Sequence, residues 1–131
     1  MLSAEYVIAV HDKILHVEGG LPGFSGGGPG AVDAVLARVE NRIYYEGMDD
    51  PFAIAAMYAI AIARGHVFND GNKRTALSCA VAFLDYNGYS IPTVSEQADA
   101  DLAEIMVGVA EGTIDHEQMS GYLLALYFGF L

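Results

Sequence analysis

At the centre of the chain, residues 65–75 read Gly65-His66-Val67-Phe68-Asn69-Asp70-Gly71-Asn72-Lys73-Arg74-Thr75. This polar stretch is followed at once by an almost wholly apolar run, residues 76–84. The change of character predicts a short loop leading into the N-terminus of a buried helix, with Asp70 at or near the helix cap. We call residues 65–71 the motif loop and the helix after it the motif helix.

The first turn of the motif helix is expected to bind an anion. Backbone N–H groups at that end lack partners inside the helix, and the helix dipole favours negative charge there. Asn72 adds amide donors, and Lys73 and Arg74 add two cations. Gly71 leaves room for a ligand to approach the backbone. Together these features predict a site of phosphate size.

His66 and Asp70 add two reactive groups to this site. Histidine is the side chain best suited to accept a proton near neutral pH, and a carboxylate is a hard oxygen ligand for Mg²⁺ on phosphates. Taken alone, each has a simpler explanation: His66 as a turn residue and Asp70 as a helix cap. The cluster favours nucleotide chemistry, because a purely structural explanation needs a separate reason for each member. Phe68 is expected to anchor the loop to the core.

The pattern His66-x-Phe68-x-Asp70-Gly71-Asn72-Lys73-Arg74 resembles the motif of the Fic family, and Lys73 with the flanking Arg64-Gly65 resembles its Doc (death-on-curing) toxin branch. The similarity extends to Gly19-Gly20-Leu21-Pro22-Gly23, to Arg38-Val39 and to the length of the chain. The resemblance implies an all-α fold of about six helices around a central motif helix. A length of 131 residues predicts one domain, residues 1–131.

The resemblance also implies the roles of the motif residues. His66 and Asp70 are expected to be catalytic, with Asp70 as the Mg²⁺ ligand. The residues expected to hold ATP are Asn69, Gly71, Asn72, Lys73, Arg74 and Arg64.

Two positions bear on the reaction that the resemblance implies. Most Fic proteins have glycine where this chain has Lys73 and a second arginine where it has Leu77, and they transfer AMP. The Doc branch shares both departures and transfers the γ-phosphate of the nucleotide to a threonine of elongation factor Tu, which arrests translation. A lysine side chain occupies the space in which a diphosphate would rest on bare glycine backbone. Ser78 is often an amide residue in Doc relatives, so its contacts are expected to differ.

Three alternatives to this kinase remain open. An AMP transferase acting on a protein hydroxyl is the nearest. A non-enzymatic binding protein would not need the intact set of reactive side chains. A metal hydrolase built on His66 and Asp70 is disfavoured, because few other ligands lie nearby in the sequence.

Composition excludes several other classes of protein. The net charge of −11 disfavours direct nucleic-acid binding, and three of the six basic residues, Arg64, Lys73 and Arg74, surround the motif. The single Cys79 forms no disulfide within the chain and is expected in the core, which suits the cytoplasm. The N-terminus lacks a basic segment typical of a signal peptide, and no apolar run is long enough for a membrane span.

Local signals predict the helix boundaries. The first helix should bury one stripe, namely Tyr6, Val7, Val10, Ile14 and Val17, and the second should bury Val32, Val35, Leu36, Val39 and Ile43. The first helix is expected at about Ala4–Val17 with Ser3 as its cap, the second at Ala31–Glu46, and the third from a cap at Asp49 or Asp50 to Arg64. The motif helix should end at Asn87. The fifth helix should open with a capping box at Thr93–Glu96 and end near Gly112, and the sixth should begin at Asp115. The loop Gly19–Gly30 is either a simple connector or a substrate-facing flap.

The final helix is apolar around most of its circumference, which indicates either core packing or a groove for a partner. Because the resemblance implies a toxin, we expect the partner to be a small antitoxin protein whose C-terminal segment folds as a helix on this chain. The predicted groove lies between the first and the last helix.

Overall fold

Residues 1–92 and 95–130 are described by a computed structural model, and within them the chain forms six α-helices. They are α1 (Ala4–Glu18), α2 (Gly28–Glu46), α3 (Pro51–Gly65), α4 (Asn72–Tyr86), α5 (Glu96–Glu111) and α6 (His116–Tyr127). Those ranges contain no β-strand, and Phe24 and Phe68 form an isolated bridge. The predicted all-α fold is confirmed. None of the six helices is long and apolar enough to cross a membrane.

The helices α3 and α4, the latter being the motif helix, form the central pair. α3 also packs against α2, α5 and α6, and α4 packs against α1 and α5. Alanines at 55, 56 and 59 are fully buried, so neighbouring helices can approach α3 closely. Tyr58 is buried too, and its hydroxyl accepts a hydrogen bond from the Leu2 N–H over 3.4 Å. Burial raises the pKa of Tyr58 above its ordinary value.

Most helix ends follow the local sequence. The side chains of Ser3, Asp50 and Asp115 accept a hydrogen bond from a backbone N–H in the first turn of their helix, as predicted. Gly47 and Gly112 end α2 and α5 in the left-handed conformation. The predicted inward face of α2 is buried throughout.

Two helix starts differ from the prediction. α2 begins at Gly28 and not at Ala31, because Pro29 occupies the first turn, where its missing N–H leaves no bond unmade. α5 has Ser95 as its N-cap, with the hydroxyl accepting from the Ala98 N–H. Thr93, the predicted cap, lies outside the described residues.

The predicted buried stripe of α1 was wrong in part. Val7 is fully buried, but Tyr6 is 44% and Val17 is 74% exposed, and the polar residue His11 is buried instead. α1 packs at the edge of the bundle, against α2 and α4, so one of its apolar faces has no helix over it. That face lines a groove of about 430 Å³ beside α4, which we call the α4 groove. Its lining is Tyr6, Val10, Lys13, Ile14, Val17, Glu18, Arg74 and Ser78.

The predicted groove between the first and the last helix was also wrong. α6 packs mainly against α3, on a different part of the bundle from α1. Leu123 and Leu126 belong to the interior, at 0% and 2% exposure, whereas Phe130 lies beyond the helix and is 85% exposed. The apolar character of α6 therefore serves core packing on its inner side.

Candidate active site at the motif loop

The motif loop is closed by the side chain of Asn72. Its Oδ1 accepts from the Phe68 N–H over 3.1 Å, and its Nδ2 donates to the Phe68 carbonyl over 2.9 Å. The sequence predicted amide donors for a phosphate at this position. The Asn72 amide instead uses one acceptor and one donor position to hold the loop, and the second hydrogen on Nδ2 remains for a ligand.

Phe68 anchors the loop to the core, as predicted. It is 2% exposed, and its ring stacks on that of His11 with centroids 3.7 Å apart and planes 7° apart. His11 in turn donates from Nε2 to the carbonyl of Asp70 over 2.8 Å, since a carbonyl oxygen can only accept. His11 was not predicted from the sequence. Its spacing of one helical turn from Val7 was the available signal.

The glycine-rich segment after α1 lies along the motif loop. We call residues 21–25 the flap. The Ser25 N–H donates to the Val67 carbonyl and the Asn69 N–H to the Gly23 carbonyl, both over 3.0 Å. The segment therefore lies antiparallel to the motif loop in a defined position. A simple connector between α1 and α2 does not require such a position. Its role towards a substrate stays a prediction.

Asp70 stands one residue before the cap of α4. Gly71 is the N-cap, with a φ of 79°, and no side chain caps this helix. The two carboxylate oxygens of Asp70 accept from the Gly71 N–H and from the Leu21 N–H, each over 3.2 Å. A Cβ at Gly71 would lie 2.7 Å from Leu15 Cδ1, so α1 makes the close approach at this glycine.

The carboxylate of Asp70 fits a Mg²⁺ ion that arrives with phosphates. Each of its oxygens accepts one hydrogen bond and keeps another lone pair, and the residue is exposed. In the described ranges no three His, Cys, Asp or Glu side chains are grouped as a metal site. One carboxylate completed by phosphate oxygens and water is the arrangement that Mg²⁺ commonly takes, and it differs from a dedicated zinc site.

Five of the predicted site residues line one cleft of about 300 Å³ at the N-terminus of α4. They are Asp70, Gly71, Asn72, Lys73 and Arg74. Leu77 of α4 and three residues of α5, Ala103, Met106 and Val107, form the rest of the lining. The polar end of the cleft thus adjoins a helix N-terminus, and its far wall is apolar.

Arg74 is held between two carboxylates. Its Nη2 lies 3.1 Å from Glu18 Oε1 at the end of α1, and its Nη1 lies 3.7 Å from Asp99 Oδ1 in the first turn of α5. All three side chains are about half-exposed. An anion in the cleft must therefore share Arg74 with these acids or displace them.

Three predicted site residues lie outside the lining of the cleft. Arg64 donates to the backbone carbonyls of Val109 and Ile114 over 2.8 Å each, which ties the end of α3 to α5 and its following turn. The side chain of Asn69 donates to the Pro22 carbonyl over 3.0 Å and so holds the flap.

The third, His66, ends α3 in the left-handed conformation with a φ of 48°. Its carbonyl accepts a hydrogen bond from the Ser25 hydroxyl. Within the described ranges its exposed ring has no hydrogen-bonding partner. A non-glycine residue with this backbone conformation is uncommon, and such residues cluster at active sites.

The chain is similar in sequence to known proteins. A model of the Fic/DOC family matches residues 1–84. The chain belongs to the Fic/DOC family. Protein kinase doc of Escherichia phage P1 is 43% identical over 126 residues, which are 96% of this chain and 94% of that protein. Toxin Doc of Mycolicibacterium smegmatis (strain ATCC 700084 / mc(2)155) is 34% identical over 99 residues, 72% of each chain. The motif predicted from the sequence, the motif loop with the first turn of α4, lies within the matched residues.

Proposed function

We propose that this Fic/DOC chain is a toxin with protein kinase activity, which transfers the γ-phosphate of ATP to a threonine hydroxyl of elongation factor Tu and thereby arrests translation. The observation that supports this most is the cleft at the start of α4, where a carboxylate, two cations and helix N–H groups converge. The 43% identity to a protein kinase adds to that support. The choice of elongation factor Tu rests on the resemblance to Doc toxins alone.

The reaction has a balanced course in this site. The threonine oxygen bonds to the γ-phosphorus while the bond from that phosphorus to the β,γ-bridging oxygen breaks, and ADP leaves. His66 takes the proton of the attacking hydroxyl, a step typically worth about 10²–10⁴-fold in rate. First-turn N–H groups, Lys73 and Arg74 offset the charge on the transferred group. Magnesium held by Asp70 supplies further neutralisation of phosphate charge when it is bound.

Transfer of AMP is the second candidate, and the position of Leu77 argues against it. Leu77 lines the cleft one helical turn beyond Lys73. An arginine at that position would point a second guanidinium at the phosphates, whereas leucine supplies no charge there. Incubation with ATP labelled at the α- or the γ-phosphate separates the two reactions, because only the γ-label passes to the target of a kinase.

The central test uses the full chain, γ-labelled ATP and purified elongation factor Tu. We expect labelled threonine in the target with the unaltered chain and at least a hundredfold loss with His66→Ala, with an unchanged far-ultraviolet circular dichroism spectrum. A His66→Ala chain that still arrests growth at matched expression would contradict the catalytic assignment and favour a binding protein.

We further propose that the antitoxin segment lies in the α4 groove. Tyr6, Val10 and Val17 present an apolar face of α1 there without a covering helix, and Arg74 borders the same groove. Val17→Asp should abolish binding of the antitoxin in calorimetry. Tyr44→Asp is the matched control, because Tyr44 is also a large exposed hydrophobic residue but lies on α2. This variant should bind the antitoxin normally. Equal binding by both variants would move the partner to another surface.

A further inference from the structure

A buried histidine, His11, packs against the motif loop and has no role in the proposed reaction. We propose that His11 is a positioning residue. It fixes the backbone of Asp70 and so sets the orientation of the Asp70 carboxylate and the position of the flap. The proposal rests on the proposed function for its catalytic consequence, and on the geometry of the loop for its structural one.

The ring of His11 is held on its face by Phe68 and at its Nε2 edge by the Asp70 carbonyl. It is 1% exposed and lies parallel to Phe68 at 3.7 Å between centroids. Nε2 donates to the Asp70 carbonyl over 2.8 Å, and Nδ1 lies 3.1 Å from Asp12 Oδ1. An imidazole held in this way has one orientation, so its Nε2–H is a fixed point for the motif loop.

The peptide between Asp70 and Gly71 needs such a fixed point. Glycine has the widest backbone freedom of any residue, and Gly71 adopts a φ of 79° here. Asn72 holds the backbone of Phe68 but makes no bond to this peptide. The hydrogen bond from His11, which is 59 residues away in the sequence, holds the carbonyl oxygen of that peptide in place.

The orientation of that peptide is transmitted to the carboxylate and the flap. The Gly71 N–H belongs to the same peptide plane as the Asp70 carbonyl, and it donates to Asp70 Oδ1. Asp70 Oδ2 accepts from the Leu21 N–H at the start of the flap. A rotation of the peptide therefore shifts the carboxylate and the flap together.

Simple core packing is the competing explanation for His11, and it makes a different prediction. If His11 serves only for packing, its side chain needs enough volume and a flat ring that can stack on Phe68. A phenylalanine at position 11 would supply both. Positioning requires a donor where Nε2 lies. The amide nitrogen of glutamine is three bonds from Cβ, as Nε2 is, whereas that of asparagine is two bonds from Cβ, as Nδ1 is. His11→Gln, His11→Asn and His11→Phe therefore separate the two explanations.

The first readout is amide hydrogen exchange of the full chain, which does not depend on activity. We expect faster exchange at Leu21 and Asn69, whose N–H groups join the flap and the loop, in His11→Phe and His11→Asn but not in His11→Gln. Exchange in the α3 core should stay unchanged in all three. Equal exchange in the Phe and Gln variants, or acceleration spread evenly over the core, would overturn the proposal in favour of packing.

The second readout is phosphate transfer to elongation factor Tu. Loss of positioning should lower kcat about 10–100-fold in the Phe and Asn variants, the range expected for a displaced catalytic group, and His11→Gln should restore most of it. Wild-type kcat in His11→Phe would refute the catalytic consequence. If the unaltered chain transfers no phosphate, the proposed function fails, and the exchange measurement still decides the role of His11.

Discussion

The substitution Asn72→Ala tests whether this amide holds the motif loop. Alanine removes two hydrogen bonds, of 3.1 and 2.9 Å, that link Asn72 to both backbone groups of Phe68. The bridge between flap and loop uses the groups of Val67 and Asn69, so it offers no replacement partner to Phe68. Two lost bonds, with the buried groups of Phe68 left unpaired, should cost about 2–4 kcal/mol of the free energy of unfolding.

Urea unfolding followed by circular dichroism measures this cost. With a slope of about 2 kcal/mol per molar urea, the midpoint should fall by about 1–2 M. Asn41→Ala, at an exposed position of α2, is the matched control and should change stability by less than about 0.5 kcal/mol. Asn72→Asp keeps the acceptor and loses the donor, so it should fall between the two. If Asn72→Ala costs no more than the control, the side chain does not hold the loop.

The remaining predictions concern the acids beside Arg74, then Lys73, and then Cys79. Neutralising both acids beside Arg74, with Glu18→Gln and Asp99→Asn, should tighten ATP binding about two- to tenfold in calorimetry, because exposed ion pairs are worth only roughly 0–1 kcal/mol each; unchanged affinity would mean that the acids do not compete with the ligand. Lys73→Gly should weaken γ-phosphate transfer, and full activity in this variant would make Lys73 a solvated cation. Burial raises the pKa of the Cys79 thiol from 9.0 to about 12. Stability should therefore fall as pH rises from 9 towards 12, because the unfolded chain releases this proton first, and Cys79→Ala should flatten that part of a plot of urea midpoint against pH.

The sequence predicted most features that depend on neighbouring residues. The caps at Ser3, Asp50 and Asp115 follow from side chains two or three residues away from the N–H groups they bind. The buried face of α2 follows from helical periodicity over a helix with one covered side. Phe68 could be assigned to the core because it is the largest apolar residue of a mostly polar loop.

The features that were missed join distant parts of the chain. Arg64 bonds to carbonyls 45 and 50 residues away, and His11 bonds to one 59 residues away. Such pairs depend on how helices cross, which periodicity does not encode. The face of α1 was misjudged for the same reason: an apolar stripe predicts burial, but the neighbours of α1 leave Tyr6 and Val17 uncovered.

The cleft has two walls that come from separate stretches of the chain. The polar end is lined by residues 70–74, whereas Ala103, Met106 and Val107 of α5 form the opposite wall. The stretch matched by the family model ends at residue 84, inside α4, so the α5 wall lies beyond it. A change of side chain on α5 can reshape the cleft without bending the motif loop. Under the proposed function, substitutions at these three α5 positions should alter the fit of the nucleotide while the polar residues at the start of α4 stay in place.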